Sequence, residues 1–369
     1  MEIDYNDKFI RANDDLSESI NQRNFLENKA FFLDRIEFLT PDNKLLLYYN
    51  LALCSSNLGN QEDSVCYYNE GTEIISQIGS NISVGLLRAF YLNKGVSLSR
   101  LASKTEKEKF FDEAEKAFDE FVRLTIYDAS GGIGARSDLY SFRKINLYSL
   151  QDLINKEITV SNPALFNDPF DCLFYHFMER VSNSYDNRAL IKSFKKIRIR
   201  SFVHDRFFSR SSFEFQDRKT KPLTDILMWS HYADSHKGIC VLYDFKSSIP
   251  QLDKNVCNIF FDEKYSEGEI VDISKNTDIE FELGFLKKNK CWEYEGEVRL
   301  LHFDPKCDAD FIHLPLGDAK VSAIYLGLYC PPEHVDMVKK IFENTDVKFY
   351  KMKTDSTNIY NLIAEECSE

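Results

Sequence analysis

Apolar residues recur at the three- and four-residue spacing of amphipathic helices from about residue 4 to residue 124. This stretch contains one proline, Pro41, and almost no alternation of apolar and polar residues. Because such alternation is typical of strands, the pattern predicts an all-helical N-terminal domain over residues 1–125.

Residues 48–76 have the pattern of a helical hairpin. Gly59 stands between two helical patterns, where a glycine commonly ends a helix in a left-handed conformation. Small residues would let the two helices approach closely, and large ones would fill the space between them: Tyr48, Leu51, Ala52, Ser64, Tyr68 and Gly71. This order of large and small positions resembles the tetratricopeptide repeat.

A second hairpin is predicted from Tyr91 and Gly95 to Ala114 and Phe118, with an insertion of about seven residues in its turn, around residues 103–109. Residues 6–40 fit a degenerate first pair or a cap, and an unrelated helical bundle is the alternative. The resemblance implies a concave face that binds a protein or peptide and carries no chemistry of its own.

Residues 126–138 break the helical pattern and are predicted to be a flexible linker. Their glycines, Gly131, Gly132 and Gly134, suggest a phosphate-binding loop at first sight. Such a loop follows a buried strand and opens a helix, and its Walker form ends in Gly-Lys-Ser/Thr. None of these features is present, so the sequence favours a linker.

After residue 138 the pattern changes to short strands and helices, which predicts a mixed α+β domain over residues 139–369. Strands are expected at 139–143, 157–161, 239–245, 293–303 and 321–326. Helices are expected at 147–155 and 188–203. Two prolines make the segment 162–171 irregular.

Composition and charge narrow the class of protein. A net charge of −13 opposes binding to nucleic acid, although residues 192–221 hold ten Lys or Arg against three acidic residues, interleaved with phenylalanines. The sequence favours a solvated helix face there over a nucleic-acid groove. No apolar run approaches the roughly 18 residues needed to cross a bilayer. The nine cysteines are scattered without a Cys-x-x-Cys pair, which predicts a cytoplasmic protein without disulfides or zinc.

Five motifs follow one another in the second domain: YSFR at 140–143, SNPALFNDPFDC at 161–172, LMWSHYADSHKGIC at 227–240, WEYEGEVRLL at 292–301 and AIYLG at 323–327. In this order they resemble a widespread microbial family, number 2971 among the domains of unknown function, over about residues 138–350. Val298 departs from the tryptophan that is frequent at its position. The family's name implies no activity.

The layout of the domain also resembles ADP-ribosyltransferases: a strand ending in Arg143, a helix, a strand ending in Ser161 and a late strand that opens with Glu295 and Glu297. The resemblance implies NAD as substrate, with Arg143 on the pyrophosphate and Ser161 beside the nicotinamide. Glu297 would be the catalytic carboxylate, and Glu295 would orient the acceptor. Three further residues are expected to contact NAD: Tyr140, Asn167 and His231.

Residues 293–303, taken as a strand, place Glu293, Glu295, Glu297 and Arg299 on one face. Same-face carboxylates roughly 7 Å apart repel one another, which raises some of their pKa values. A carboxylate fixed beside a ribose stabilises the oxocarbenium-like state through which the nicotinamide–ribose bond breaks. The alternative is a solvent-facing edge strand with salt bridges and no site.

The sequence leaves three classes of function open. The first is an NAD-using transferase or glycohydrolase regulated by its helical repeats, an effector in stress or phage defence. The second is a metal-dependent, nuclease-like effector that uses Asp168 and Asp171, although Asn-Asp-Pro is ordinary turn chemistry. The third is a non-enzymatic recognition module. A serine–histidine nucleophile is not expected, because Ser230 and His231 are adjacent on a helix and point about 100° apart.

Overall fold

A computed structural model of the chain describes residues 5–13, 16–78, 82–129, 136–168, 171–172, 188–204, 222–245, 257–262, 264–266, 285, 287–317, 319–358 and 360–367. The chain forms two compact units. The first, called here the helical unit, comprises Met1–Ala129 and Met178–Lys195. The second, the sheet unit, comprises Ser130–Phe177 and Lys196–Glu369. This division differs from the predicted one, in which the second domain was continuous from residue 139.

The N-terminal region is helical, as predicted. Its helices are α1 (Tyr5–Asn13), α2 (Ser19–Glu27), α3 (Lys29–Leu33), α4 (Pro41–Asn57), α5 (Gln61–Ile78), α6 (Val84–Thr105) and α7 (Glu108–Ala129). The side chain of Thr40 accepts a hydrogen bond from the Asn43 amide and so caps α4. Gly59 has a φ of +86°, which confirms the left-handed end predicted there.

Small residues lie where the long helices pack. A Cβ atom added to Gly71 would lie 2.6 Å from the ring of Phe90, and one added to Gly95 would lie 2.5 Å from the ring of Phe118. The side chain of Ala114 is fully buried as well. The close approach of α5 to α6 and of α6 to α7 therefore depends on residues with little or no side chain.

The second hairpin differs from its prediction at the turn. Helices α6 and α7 are each 22 residues long and only Glu106 and Lys107 separate them, so the expected insertion extends the helices instead of the loop. Helix α7 also continues beyond residue 125, because Ile126 prolongs its buried face. The glycines at 131, 132 and 134 lie outside the described residues.

From residue 136 onward the described elements are β1 (Arg136–Arg143), α8 (Leu147–Asn155), β2 (Glu157–Ser161), α9 (Arg188–Phe194), β3 (Ile197–His204), α10 (Ile226–Tyr232), β4 (Ile239–Phe245), β5 (Cys257–Asp262), β6 (Lys264–Ser266), β7 (Lys287–Asn289), β8 (Glu297–Phe303), β9 (Phe311–Pro315), β10 (Lys320–Leu326), α11 (Pro332–Ile341), β11 (Lys348–Thr354) and β12 (Leu362–Glu366). The α+β class is as predicted. The bounds of α8, β2 and β4 coincide with the predicted ones.

The single basic helix predicted over residues 188–203 is wrong. Helix α9 ends at Phe194, and β3 begins at Ile197. The β-branched residues Ile197 and Ile199 alternate with arginines, a two-residue period that suits a strand. Helix α9 packs on α7, where Lys192 forms a 2.6 Å ion pair with Glu115. This segment therefore belongs to the helical unit, although it lies between two strands of the sheet unit in sequence.

The main sheet has the order β12-β11-β10-β4-β1-β3-β2-β9, and β8 pairs with both β3 and β5. Strand β8 covers one edge of β3 along its length. The other edge of β3 pairs with β1 at one end, where Tyr140 faces Val203, and with β2 at the other, where Ser161 faces Ile199. Strands β1 and β2 therefore diverge, and the sheet splits between them. Three residues of β3 lie at this split: Arg200, Ser201 and Phe202.

Apolar layers cover both faces of the sheet. On one face, Leu139, Phe202 and Tyr243 pack with residues of α8 and α11. On the other, Tyr140 and Val203 pack with Met228 and Trp229 of α10. The indole nitrogen of Trp229 donates a 2.7 Å hydrogen bond to the carbonyl of Leu223, which satisfies the polar atom of a fully buried ring.

Strand β8 is an interior strand, and all of its residues are buried. The alternative of a solvent-facing edge strand is therefore wrong. The predicted strand over 293–303 also begins later than expected, because residues Lys290–Glu295 form a 3₁₀ helix. Gly296, with a φ of +52°, ends that helix. Glu293, Glu295 and Glu297 consequently do not share the face of one strand.

In the described part of the chain, none of the helices is long and apolar enough to span a membrane.

Candidate active site

A cavity of about 230 Å³ lies at the split between β1 and β2. Its lining comes from β1, β2, β3, α10, β7, the end of the 3₁₀ helix before β8, the start of β8 and the segment after β2. Five of the predicted site residues are among the lining: Tyr140, Ser161, Asn167, Glu295 and Glu297. Motifs that are far apart in the sequence thus meet at one place in the sheet unit.

Arg143 does not line this cavity, contrary to the single pocket expected from the sequence. Its Nη1 donates a 2.9 Å hydrogen bond to Oδ2 of Asp152, and both side chains are buried. Asp152 also accepts a 2.5 Å hydrogen bond from Oγ1 of Thr159. The guanidinium therefore joins the end of β1 to α8 and β2, and it is not placed to grip a ligand in the cavity.

His231 also lies outside the cavity lining. It is exposed, and its Nδ1 is 3.1 Å from the hydroxyl of Tyr294. Its ring also contacts Trp292, with the two ring centroids 6.3 Å apart. Because Tyr294 is adjacent in sequence to Glu295, this aromatic group stands next to the cavity without forming its wall.

Buried carboxylates and cations form one network along the cavity. Oε1 of Glu297 accepts a 2.8 Å hydrogen bond from Nε of Arg299. Nη2 of Arg299 lies 2.8 Å from both carboxylate oxygens of Asp171. Nζ of Lys288 is 2.6 Å from Glu295 and 3.1 Å from Glu297. Three carboxylates thus face two cations, so the fully ionised network carries one net negative charge.

The two glutamates of the network titrate in opposite directions. Burial by itself would raise the pKa of Glu297, but Arg299 and Lys288 outweigh it and hold that pKa at about 2. The pKa of Glu295 is raised, because its burial outweighs the attraction of Lys288 and Glu297 repels its charge. Glu297 is therefore a fixed negative charge, whereas Glu295 is the group that binds a proton more readily.

Tyr232 of α10 joins the network from the opposite wall. Its hydroxyl donates a 2.5 Å hydrogen bond to Oε1 of Glu295. Burial, followed by the charge of Glu295, raises the pKa of Tyr232, so the phenol keeps its proton and acts as a donor. Each oxygen of Glu295 thus has one partner, the neutral Tyr232 on one and the cationic Lys288 on the other.

Arg200 lines the cavity at the split itself. Its Nη2 donates a 2.6 Å hydrogen bond to Oγ of Ser141, and the structure pairs it with no carboxylate among the described residues. Burial, followed by the nearby charge of Arg143, lowers the pKa of Arg200 to about 9. At neutral pH it remains a cation.

The metal alternative meets a geometric obstacle at Asp171. Both oxygens of this carboxylate accept hydrogen bonds from Arg299, and Lys288 is 3.5 Å away. The amide of Asp171 donates to the carbonyl of Asp168 at 3.0 Å. In the described ranges, no three His, Cys, Asp or Glu side chains are grouped to hold a metal ion.

Ser230 and His231 are not hydrogen-bonded to each other. Oγ of Ser230 donates to the carbonyl of Ile226 at 2.7 Å and lies 3.1 Å from Nε2 of His236. In the basic segment, Lys196, just before β3, and Arg198, within β3, are buried and do not form a solvated helix face. Residues 205–221, which hold five of that segment's ten basic residues, lie outside the described residues.

Several residues of the site escaped the sequence analysis. Lys288 stands in a run of lysines that gives no sign of burial, and Tyr232 was part of a motif without an assigned role. Arg200 had a readable signal, since the alternation of Ile and Arg over 197–200 predicts a strand with one buried face. The role of Arg299 as the anchor of Glu297 and Asp171 required the fold, because Asp171 is 128 residues away.

The geometry defines a mixed α+β unit with a charged cavity at a split in its sheet. Residues 228–300 match the family described as "Protein of unknown function (DUF2971)", which confirms the predicted resemblance over that part of the chain. No curated protein and no solved structure matches the chain. The matched range contains much of the network: Tyr232, Lys288, Glu295, Glu297 and Arg299.

Proposed function

We propose that the sheet unit cleaves the nicotinamide–ribose bond of NAD, either as an ADP-ribosyltransferase or as an NAD glycohydrolase. The observation that carries this proposal is the pair Glu295 and Glu297 in a cavity at the split of the sheet, together with Tyr140, Ser161 and Asn167. The order of elements that resembles ADP-ribosyltransferases supports the same reaction by analogy of fold.

The chemistry that the two glutamates offer suits this bond. When the bond between ribose C1′ and the ring nitrogen breaks, its electron pair goes to the nitrogen and neutral nicotinamide leaves. Positive charge develops on the ribose, and the ionised Glu297 stabilises it. A water or acceptor hydroxyl then bonds to C1′, and Glu295 takes its proton, because a carboxylate with a raised pKa is the better base.

The size of the cavity limits how a dinucleotide fits. A volume of about 230 Å³ is below the roughly 300–1,000 Å³ of pockets for drug-sized ligands. We therefore expect the cavity to hold the nicotinamide riboside end, with the adenosine end outside. Aromatic side chains in the wall, among them Phe142, Phe166 and Tyr232, offer surfaces for the nicotinamide ring.

For the helical unit we propose tetratricopeptide-like hairpins that bind a protein or peptide and regulate the sheet unit. The left-handed Gly59 and the close packing at Gly71 and Gly95 support this architecture, because the repeat needs small residues where its helices cross. A cytoplasmic location is part of the same proposal. No specific observation favours a nuclease-like effector or a non-enzymatic module.

The test is release of nicotinamide from NAD by the full chain, measured by chromatography with and without candidate acceptors. We expect Glu297→Gln to lower the rate by about 10²–10³-fold in the protein that remains folded, because it removes one preorganised charge. Glu293 is half-buried and does not line the cavity, so Glu293→Gln is the matched control and should keep full activity. A Glu297→Gln variant with unchanged activity, or a full chain that neither binds NAD nor releases nicotinamide, would contradict the proposal.

A further inference from the structure

The split in the sheet exposes a backbone amide to the cavity. In an antiparallel strand, the amide and the carbonyl of one residue point to the same edge, and those of the next residue point to the opposite edge. The amide of His204 donates to the carbonyl of Gly296 beside β8, and the carbonyl of Ile199 accepts from Oγ of Ser161 on the other edge. By this alternation the amide and the carbonyl of Ser201 point into the split, past Val203 and Ile199, where β1 and β2 pair with β3 before they diverge.

The same alternation separates the side chains of β3. Ser201 lies on the face of Tyr140 and Met228, whereas Arg200 lies on the face of Ser141. Both residues nevertheless line the cavity. The cavity therefore reaches the gap between β1 and β2, where Arg200 and Ser201 line it.

The charge at this gap is not balanced. Arg200 and Arg143 contribute two positive charges, and the described acidic partner is Asp152, which is bonded to Arg143. Nε of Arg200 is buried and has no hydrogen-bond partner among the described residues. A cation with a buried, unused donor is costly unless an anion joins it.

We infer that Arg200 and the amide of Ser201 form a phosphoryl-binding site that takes the diphosphate of a nucleotide. Arginine binds two phosphate oxygens with its planar fork, and a backbone amide adds a third donor. Ser161 and Asn167 line the same cavity and offer further donors. The identity of the ligand as a nucleotide rests on the proposed function, whereas the affinity for a phosphoryl group does not.

The two ends of the cavity then have opposite charge. The network of Glu295 and Glu297 is negative, and Arg200 is positive. A ligand with a cationic ring at one end and phosphates beyond it fits in one orientation, with the ring toward the glutamates. This assigns to Arg200 the contact that the sequence had led us to expect from Arg143.

The test is calorimetric titration of the full chain with inorganic phosphate, pyrophosphate, AMP and ADP-ribose. We expect pyrophosphate and ADP-ribose to bind and Arg200→Gln to weaken both by about 10- to 100-fold, as for lost hydrogen bonds to a charged group. Lys306→Gln removes an exposed charge outside the cavity and should change neither affinity. A site for free phosphate would favour pyrophosphate over ADP-ribose, and a nucleotide site would favour ADP-ribose.

A second variant covers the case in which Arg200→Gln does not fold. Arg200→Lys keeps the charge, but its ammonium does not bind two oxygens as a fork, so we expect an affinity several-fold below that of the unchanged chain. Unchanged pyrophosphate affinity in the folded variants, or no binding of pyrophosphate and ADP-ribose at all, would overturn the inference. Because pyrophosphate has no glycosidic bond, its binding tests the phosphoryl site independently of NAD cleavage.

Discussion

Glu297 and Arg299 stand two residues apart on β8, and a 2.8 Å hydrogen bond joins Oε1 of the first to Nε of the second although both side chains are buried. Arg299 has no exposed surface, and it also holds Asp171. Buried charges persist in proteins when they are paired and hydrogen-bonded. The negative charge of Glu297 is therefore built into the fold before any ligand arrives.

The first prediction concerns the stability of the network. Glu297→Gln leaves Arg299 and Lys288 with one carboxylate fewer, and breaking a buried ion pair from one side costs about 3–5 kcal/mol. Urea unfolding followed by circular dichroism measures this free energy. Glu293→Gln, four residues earlier on the 3₁₀ helix and half-exposed, should stay within about 0.5 kcal/mol of the unchanged chain. Equal midpoints for the two variants would show that the network does not stabilise the fold.

The second prediction is a loss of stability in acid, in two steps. The pKa of His302 is lowered by burial from 6.5 to about 4, so the unfolded chain binds its proton first and stability falls as the pH drops through that interval. The pKa of Glu297 lies at about 2 instead of 4.5, so a second loss follows as the pH falls from 4.5 toward 2. Glu295, whose pKa is raised above 4.5, binds its proton first in the folded chain and so opposes the first step.

Urea midpoints at pH 7, 5, 4 and 3 would measure both steps. In Glu297→Gln the second step should shrink, because the group that causes it is gone. Midpoints that do not change between pH 6.5 and 4 would contradict the assignment to His302.

The third prediction separates Arg143 from the ligand. Arg143→Gln leaves Asp152 buried without its cation, which should cost about 3–5 kcal/mol of unfolding free energy. The affinity of the folded variant for pyrophosphate should change little, since Arg143 does not line the cavity. Lys144→Gln, exposed and next in sequence, is the control for stability. A large loss of affinity without loss of stability would restore Arg143 as a ligand contact.

The fourth prediction tests the packing of the helical unit. Gly95→Ala would place a methyl group 2.5 Å from the ring of Phe118, an overpacking expected to cost about 1–3 kcal/mol. Gly85→Ala lies on the same helix with no atom within 4 Å, and it should stabilise by about 0.4–1 kcal/mol. Thermal unfolding of the two variants gives the comparison, and opposite signs are the expected result. Combining Gly95→Ala with Phe118→Leu should recover part of the loss.

The sequence was most informative where the local pattern and the fold agree. Helix α8 and strands β2 and β4 were predicted to their ends, because Asn146 caps α8, alternation marks β2, and β4 is a mostly apolar run that follows Gly238. The convergence of Tyr140, Ser161 and the two glutamates followed from the resemblance to known families. That inference depended on the order of motifs and not on any one residue.

Side-chain direction and long-range pairing were beyond the sequence. Arg143 and Arg200 both lie on the face of the sheet that carries Ser141, so which of them meets the cavity depends on its position along the sheet and on the ion pair of Arg143 with Asp152. Glu295 belongs to a short 3₁₀ helix and not to the predicted strand. The left-handed Gly296 ends that helix, so the alternation of β8 does not extend to the residues before it. A run of positive charges obscured the two-residue period of β3 and led to a predicted helix.

Helix α9 determines whether the two units can be separated by one cut or one gene fusion. The chain crosses between the units three times, after Ala129, after Phe177 and after Lys195. A single proteolytic cut between α7 and β1 would leave α9 on the sheet fragment, still docked on α7 through Lys192 and Glu115. A gene fusion that transplanted the continuous sequence 130–369 would include α9. Leu190 and Phe194, which are buried in the helical unit, would then be exposed to water. Because the chain crosses between the units three times, each unit consists of two separate segments of the sequence. Replacing one continuous stretch of sequence would therefore not exchange either unit as a whole.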